Sequence, residues 1–278
     1  MSENTKVWLV TGSSRGLGRD IVEAALAAGE RVIATARKPE QLQDLVNRYG
    51  DQIRAIALDV TNPESAICAV KTAVKEFGRI DVLVNNAGYG DMAAVEDVTL
   101  EDFKAQIDTN FYGVVYMTKA VLPVMREQGA GHIFQISSIG GRSGAPGLAA
   151  YQSAKWAVGG FSTVLAQEIA PLGIKVTVVE PGGMRTDWAG SSMTIPPVSE
   201  PYKQSVGAFI DFLKNSIAGN EVTDPVKVAK VIVDLTQIPE PPFRLLIGTD
   251  AVNIAESCAK TLAESDAKWR YLSESVGF

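Results

Sequence analysis

The chain has 278 residues, 46% of them apolar, with 26 basic and 32 acidic side chains and a formal net charge of −6. Acids and bases are interspersed, and no basic block could track a phosphate backbone, which argues against nucleic acid as a partner. The cysteines, Cys68 and Cys258, lie far apart in helical patterns and read as buried free thiols of a cytoplasmic protein rather than a disulfide framework or metal cluster. The first ten residues lack a secretory pattern, and no apolar run approaches the roughly 20 residues of a membrane span.

Taken in chain order, residues 7–10 predict a β-strand leading into a glycine-rich turn. Ile21, Val22, Ala25 and Leu26 then mark a helix that ends near Gly29. The alternation continues with a strand over 31–35, a helix over 39–49, a strand over 53–58, a helix over 63–77 and a strand over 82–85. Such a rhythm predicts an α/β fold, a doubly wound parallel sheet covered on both faces and built as one domain over 1–278. A long helix over 100–125, a strand over 132–137, a helix over 150–170 and a strand over 175–180 follow. Residues 183–224 break the pattern with Pro196, Pro197 and Pro201 amid Gly, Ser and aromatics, and read as an irregular substrate lid. A helix over 225–236, a strand over 244–247 and a terminal helix within a C-terminal extension over 249–278 complete the chain.

The first turn reads Thr11-Gly12-Ser13-Ser14-Arg15-Gly16-Leu17-Gly18. Glycines there allow tight backbone geometry and bring a helix N-terminus close to a pyrophosphate, which its free N–H groups and dipole favour. A site selecting NAD places an acid about 20 residues on, to bond the ribose 2′-hydroxyl. The corresponding stretch here is Ala34-Thr35-Ala36-Arg37-Lys38, without an acid. Arg37, helped by Arg15, suits a 2′-phosphate, so NADP is the expected cofactor. A solvated helix start at Arg37 and Lys38 is the alternative.

Tyr151 and Lys155 lie four residues apart, so on a helix both project from one face. Ser138 falls at the end of a predicted strand, the edge of a parallel sheet where ligands gather. Ser137 is an adjacent competitor. With these residues the chain resembles the short-chain dehydrogenase/reductase family, over about residues 5–190. Residues 11–18 resemble its TGxxxGxG turn, Asn85-Asn86-Ala87-Gly88 its NNAG motif, and Ser138 with Tyr151-x3-Lys155 its active-site signature. Asn110 resembles its fourth catalytic residue, Asp59 with Val60 its adenine-side pair, Pro181-Gly182 its nicotinamide-side turn, and Thr186 the residue near the carboxamide.

The resemblance implies hydride transfer between NADP and a small-molecule carbonyl or alcohol. Charge develops on the carbonyl oxygen as hydride arrives, so an acid must supply a proton. Tyr151 is the expected acid, with its ordinary pKa of about 10 lowered by the Lys155 ammonium. Ser138 orients the substrate oxygen, and Asn110 either holds a water between Lys155 and solvent or merely bonds backbone. His132, the single histidine, precedes a strand and reads as structural, and no metal site is expected. Met184, Trp188, Met193 and Phe209 line an apolar substrate pocket or form the lid's own core. The extended C-terminus resembles steroid-, retinol- or general carbonyl-reducing members more than tetrameric ones, leaving helices 100–125 and 151–170 to pair across a homodimer. The competing reading is a sensor that binds NADPH without turnover.

Overall fold

Short runs rich in Val, Ile and Leu, each leading into a helix, form strands that are buried on both faces at the centre of the sheet and half-buried at its two edges. They are β1 (Val7–Val10), β2 (Arg31–Ala36), β3 (Ile53–Ala57), β4 (Val82–Asn85), β5 (Gly131–Ile136), β6 (Ile174–Pro181) and β7 (Arg244–Ile247). In this computed structural model, which describes residues 5–186, 193–217 and 219–277, all seven pair in parallel in the order β3-β2-β1-β4-β5-β6-β7. The chain winds outward from β1 to β3, returns, and winds the other way from β4 to β7. Loops leaving β1 and β4 therefore part, opening a crevice at the carboxyl ends of the strands.

One face of the sheet carries α1 (Gly16–Ala27), α2 (Gln43–Tyr49) and α8 (Pro225–Leu235), around a core that includes Trp8, Val10, Ile21, Val22, Leu45, Phe134 and Ile232. The other carries α3 (Pro63–Phe77), α5 (Gly113–Gln128) and α6 (Ala149–Ile169), around Leu9, Ile33, Leu83, Met117, Val121, Ile133 and Leu165. Alternation along β1 sends Trp8 and Val10 to one layer and Leu9 to the other, as a period of two requires. Local chemistry sets several helix starts. Asn62 accepts from Ser65 N (2.9 Å) before Pro63 at α3, and Thr99 accepts from Asp102 N (3.0 Å) at α4 (Leu100–Ile107). Asp224 likewise accepts from Val226 N (2.9 Å) before Pro225 at α8.

Three expectations need correction. The helix read as continuous over 100–125 is interrupted between α4 and α5 by a wider π turn over Asp108–Tyr112, an extra-residue bulge that re-aims the side chains it carries, Asn110 among them. Cys68 is exposed and Cys258 half-buried, not buried. On α3 the buried positions are Ala66, Ala69, Val70 and Ala73, and Cys68 falls on the opposite face. The stretch read as irregular contains helical turns at Glu200–Tyr202 and Lys203–Gly207, then α7 (Ala208–Phe212) and a further turn at Leu213–Ile217.

Those turns pack Val206 and Ile210 against Met92, Ala94 and Leu148. The same segment is tied to the loop after β4: Thr194 N donates to Asp91 Oδ1 (2.7 Å), Ser199 N to Asp97 Oδ2 (3.0 Å) and the Tyr202 hydroxyl to Glu96 Oε2 (2.6 Å). The last helix, α9 (Thr249–Glu274), buries only Ala251 and Ala255. No helix among the described residues is long and apolar enough to cross a membrane.

Candidate active site

The site begins where β1 ends. Thr11 Oγ1 accepts from the backbone N–H groups of Asn86 and Ala87 (both 3.0 Å), and Asn86 Nδ2 donates back to the carbonyls of Thr11 (3.0 Å) and Gly12 (3.1 Å). The turn after β1 and the segment after β4 are thus strapped together across the switch point. Gly12 has φ +67° and a Cβ there would lie 2.8 Å from Ala87 Cα, so both conformation and space require glycine. A Cβ on Gly18 would collide with Gly12 O and Asn86 Nδ2. Asn85 points the other way, its amide bonding Gln135 Oε1 (2.9 Å) and Thr118 Oγ1 (3.2 Å) inside the core.

Unlike α3, α4 and α8, α1 starts without a side-chain cap, and its first turn carries no acid. Its first N–H groups therefore lack a side-chain cap, as a helix start that receives a pyrophosphate requires. Ser14 and Gly16 are half-buried, Arg15 is exposed at the N-cap and Leu17 is buried in the core, so only its backbone can serve a ligand. Thr186 approaches Gly16, its Cβ 3.9 Å from where a Gly16 Cβ would stand. Arg37 is exposed just beyond the end of β2. Asp59, beyond β3, is exposed and accepts from Thr61 N (3.0 Å) and Oγ1 (2.8 Å), whereas Val60 is buried against Gly113. The residues present fit a nicotinamide dinucleotide.

Ser138, Tyr151, Lys155 and Asn110 converge near the carboxyl end of β5. Tyr151 and Lys155 are buried on one face of α6, with Lys155 Nζ 5.5 Å from the Tyr151 ring centre and donating to Ile136 O (2.9 Å). Ser138 Oγ accepts from Gly140 N (3.0 Å) and its hydroxyl bonds the Tyr151 phenol. Ser137 instead turns to the Lys155 carbonyl (3.5 Å), so the competitor is directed into the α6 backbone. Asn110 Nδ2 donates to Tyr89 O (2.8 Å) and Gln106 O (2.9 Å). Its Oδ1 is buried without a partner and lies beside Gly88, where a Cβ would stand 2.5 Å from it and 3.7 Å from Lys155 Nζ. A buried acceptor without a donor, next to an ammonium, is a place for a bridging water.

Burial dominates the electrostatics. It pushes the Tyr151 phenol up to about 12, Ser138 opposing it, and pulls the Lys155 ammonium down to about 8. The expectation that Lys155 would hold Tyr151 below its ordinary value is therefore reversed. The ammonium stands off the ring and spends one proton on Ile136 O, while desolvation acts on the whole phenol. His132 is neutral, burial taking it down to about 3. Thr177 gives its hydroxyl proton to Pro242 O (2.9 Å) and so accepts from His132 Nε2 (2.9 Å), a structural role.

Pro181 and Gly182 end β6 as expected, with Gly182 N donating to Ile247 O (2.9 Å). Sequence reading missed two residues that hold this turn. Asp250, at the start of α9, accepts from Gly183 N (2.7 Å) and presses its carboxylate on Gly182 Cα. Glu180, fully buried, is bound by Arg142 (2.5 Å) and Arg244 (2.7 Å). An acid directly after the apolar pair Val178-Val179 in β6 was the available signal, because a buried carboxylate needs a cationic partner. Met184 packs on the main core, and Met193 and Phe209 on the cluster around Val206; Trp188 lies outside the described residues. A cavity of about 160 Å³ opens between Asp91, Gln106, Gly147, Ala150 and Thr194.

A family model for short chain dehydrogenases matches residues 6–194. The oxidoreductase BOA17 of Botryotinia fuckeliana is 60% identical over 97% of this chain and 98% of its own. A 3-ketodihydrosphingosine reductase of Bacteroides thetaiotaomicron is 37% identical over 87% of this chain and 88% of its own. The crystal structure of a short-chain dehydrogenase from Streptomyces avermitilis superposes with a TM-score of 0.92 over 100% of both chains, at 38% identity. Other solved neighbours are complexed with NADP+ or with NADH. With the glycine turn, the parallel sheet and the Ser138, Tyr151 and Lys155 cluster in one chain, this protein is an oxidoreductase that belongs to the short-chain dehydrogenase family.

Proposed function

We propose that the protein reduces a ketone or aldehyde with NADPH, Tyr151 delivering the proton. The observation that carries this reading is the buried pairing of Tyr151 and Lys155 on one face of α6, with Ser138 against the phenol at the sheet's carboxyl edge. Gly12, Ser14, Gly16, Leu17 and Gly18 would hold the pyrophosphate through backbone, Arg15 and Arg37 the 2′-phosphate, and Asp59 and Val60 the adenine. Asn86, Ala87, Gly88, Pro181, Gly182 and Thr186 would border the nicotinamide half. The bound cofactor supplies the hydride.

The residues manage the proton. At neutral pH a phenol pushed up to about 12 is protonated, the form that reduction needs. Ser138 donates to the substrate oxygen as charge builds, and Tyr151 transfers its proton to that oxygen. The phenolate left behind is far more basic than Lys155, whose ammonium titrates at about 8, so proton return from Nζ runs downhill. A water held at the unpartnered Asn110 Oδ1 would then restore the lysine from solvent. Met92, Leu148, Val206 and Ile210 are buried against one another beside the start of α6 and so form the core that would seat residues 193–217 as part of the substrate lid. The relative named as a 3-ketodihydrosphingosine reductase supports ketone reduction.

A panel of ketones and aldehydes, followed by cofactor absorbance with NADPH and NADH, tests the reading. Turnover with NADPH and its loss by about 100-fold or more in Tyr151→Phe is expected. Tight NADPH binding without turnover on any carbonyl or alcohol would replace the enzyme with a sensor.

A further inference from the structure

Glu180 is a buried carboxylate whose two oxygens serve two different parts of the chain. Oε2 accepts from Arg142 Nη2 (2.5 Å) and Oε1 from Arg244 Nη1 (2.7 Å). Arg142 closes the short coil that Ser138 opens. In that coil Gly141 N donates to Ser138 O and Arg142 N to Ile139 O (both 2.9 Å). The coil lies flat on α6: a Cβ on Gly141 would stand 3.0 Å from Lys155 O, and one on Gly140 3.1 Å from Gln152 Nε2. Arg244 also reaches α6, Nη2 donating to Gly159 O (3.2 Å) and Thr163 Oγ1 (3.3 Å), one and two turns beyond Lys155. Glu180 itself immediately precedes Pro181 and Gly182.

A single buried side chain thus ties together the coil of Ser138, the helix of Tyr151 and Lys155, and the turn at Pro181 and Gly182. Two cations on one buried anion are an expensive way to knit a sheet, since apolar packing of the same volume is often at least as stable. What the arrangement adds is direction, because a guanidinium fork fixes its partners in angle as well as distance. Resting on the reading of Ser138, Tyr151 and Lys155 as the reacting cluster, we propose that Glu180 is a positioning residue. Through Arg142 it sets where the Ser138 hydroxyl stands relative to the Tyr151 phenol. It touches neither substrate nor cofactor.

Arg142→Met is the cleaner test, because it leaves the Glu180–Arg244 pair intact and a neutral core behind. Glu180→Gln, which leaves two facing arginines, is the stronger perturbation. Misplacement of a reacting group by about 1 Å costs on the order of 100-fold, so kcat of Arg142→Met should fall about 10- to 100-fold well below its unfolding temperature. NADPH affinity and substrate KM should stay within about threefold, the pattern of an interaction used at the transition state. Arg142→Lys should recover part of kcat. Hydrogen exchange should quicken in residues 138–143 while β6 and β7 remain protected.

Unchanged kcat, or faster exchange across the whole sheet with parallel loss of NADPH affinity, would reduce Glu180 to a structural tie. The exchange measurement needs no turnover. If the wild-type chain reduces nothing, the reading of the site fails, and local exchange in Arg142→Met still decides whether Glu180 holds the serine coil. Tyr151→Phe, inactive by the same reading, should exchange like the wild type in 138–143.

Discussion

Lys155 carries a measurable cost in stability, and Lys155→Met exposes it. In the folded protein the ammonium is pulled from its ordinary 10.5 down to about 8 by burial. Between those values the unfolded chain binds a proton that the folded protein does not, so stability rises with pH across this window and is depressed below it. The full shift corresponds to about 3 kcal/mol at about 1.4 kcal/mol per unit, present below about pH 8. Methionine has a similar length and no charge, but it strands the Ile136 carbonyl that Nζ now bonds at 2.9 Å, at a cost of about 1 kcal/mol. At about pH 7 the variant should therefore be more stable than the wild type by about 2 kcal/mol, while losing turnover. Urea unfolding at a series of pH values reads the difference directly. The wild type should gain about 2 kcal/mol relative to Lys155→Met between about pH 7 and about pH 9.5. Tyr151 does not interfere there. Its folded value is raised from 10.0 to about 12, so its favourable contribution is complete below 10 and lost only above it. Parallel pH curves for the two proteins would mean that Lys155 is solvated, and the electrostatic account of the site would fall.

Other perturbations reach the remaining parts of the site. Arg37→Glu should weaken NADPH by at least about tenfold and leave NADH little changed, since a guanidinium bonded to phosphate is worth about 1.5–3 kcal/mol; an equal loss for both cofactors would remove Arg37 from the 2′-phosphate. Gly18→Ala, with no room beside Gly12 O and Asn86 Nδ2, should destabilise by about 1–3 kcal/mol and weaken cofactor binding, as calorimetry would record. His132 is lowered from 6.5 to about 3, so the unfolded chain binds the extra proton and stability falls as pH drops through that range. By about pH 5 this amounts to about 2 kcal/mol, and His132→Gln, which keeps a donor for Thr177, should lack that acid slope in urea titrations.

Much of the fold was legible because parallel strands and their helices repeat a hydrophobic rhythm, and the strand at Arg244–Ile247 fell where the pattern put it. Ser138, Tyr151 and Lys155, expected from fixed spacing, stand together in the structure, where Ser138 Oγ accepts from Gly140 N and Ser137 Oγ turns to the Lys155 carbonyl. The π turn at Asp108–Tyr112 was not, because one added residue hardly disturbs the period of the helices it joins. The turns after Pro201 escaped for the opposite reason: prolines and Gly207 mask a helical pattern that only packing against Met92 and Leu148 stabilises. Glu180, Arg142 and Arg244 stand 38 and 64 positions apart, a separation at which no local pattern speaks.

The reversed tyrosine shift has a wider consequence for how the site works. Reasoning from neighbours alone treats Lys155 as a field acting on Tyr151, yet both groups are dominated by the same loss of water. Desolvation moves an acid and a base in opposite directions, each toward its neutral form. The phenol becomes a firm proton holder and the ammonium a ready donor. On the proposed reading, these opposite shifts would favour proton flow from Lys155 to a spent Tyr151 phenolate. Oxidation of an alcohol needs the opposite state, a phenolate before hydride departs, and must overcome the same burial. A positively charged oxidised nicotinamide ring would assist that direction by favouring nearby negative charge. Reduction should therefore hold its rate from about pH 6 to about pH 8, whereas oxidation should climb steadily with pH. Opposite pH trends for the two directions would show that the phenol is already ionised at rest.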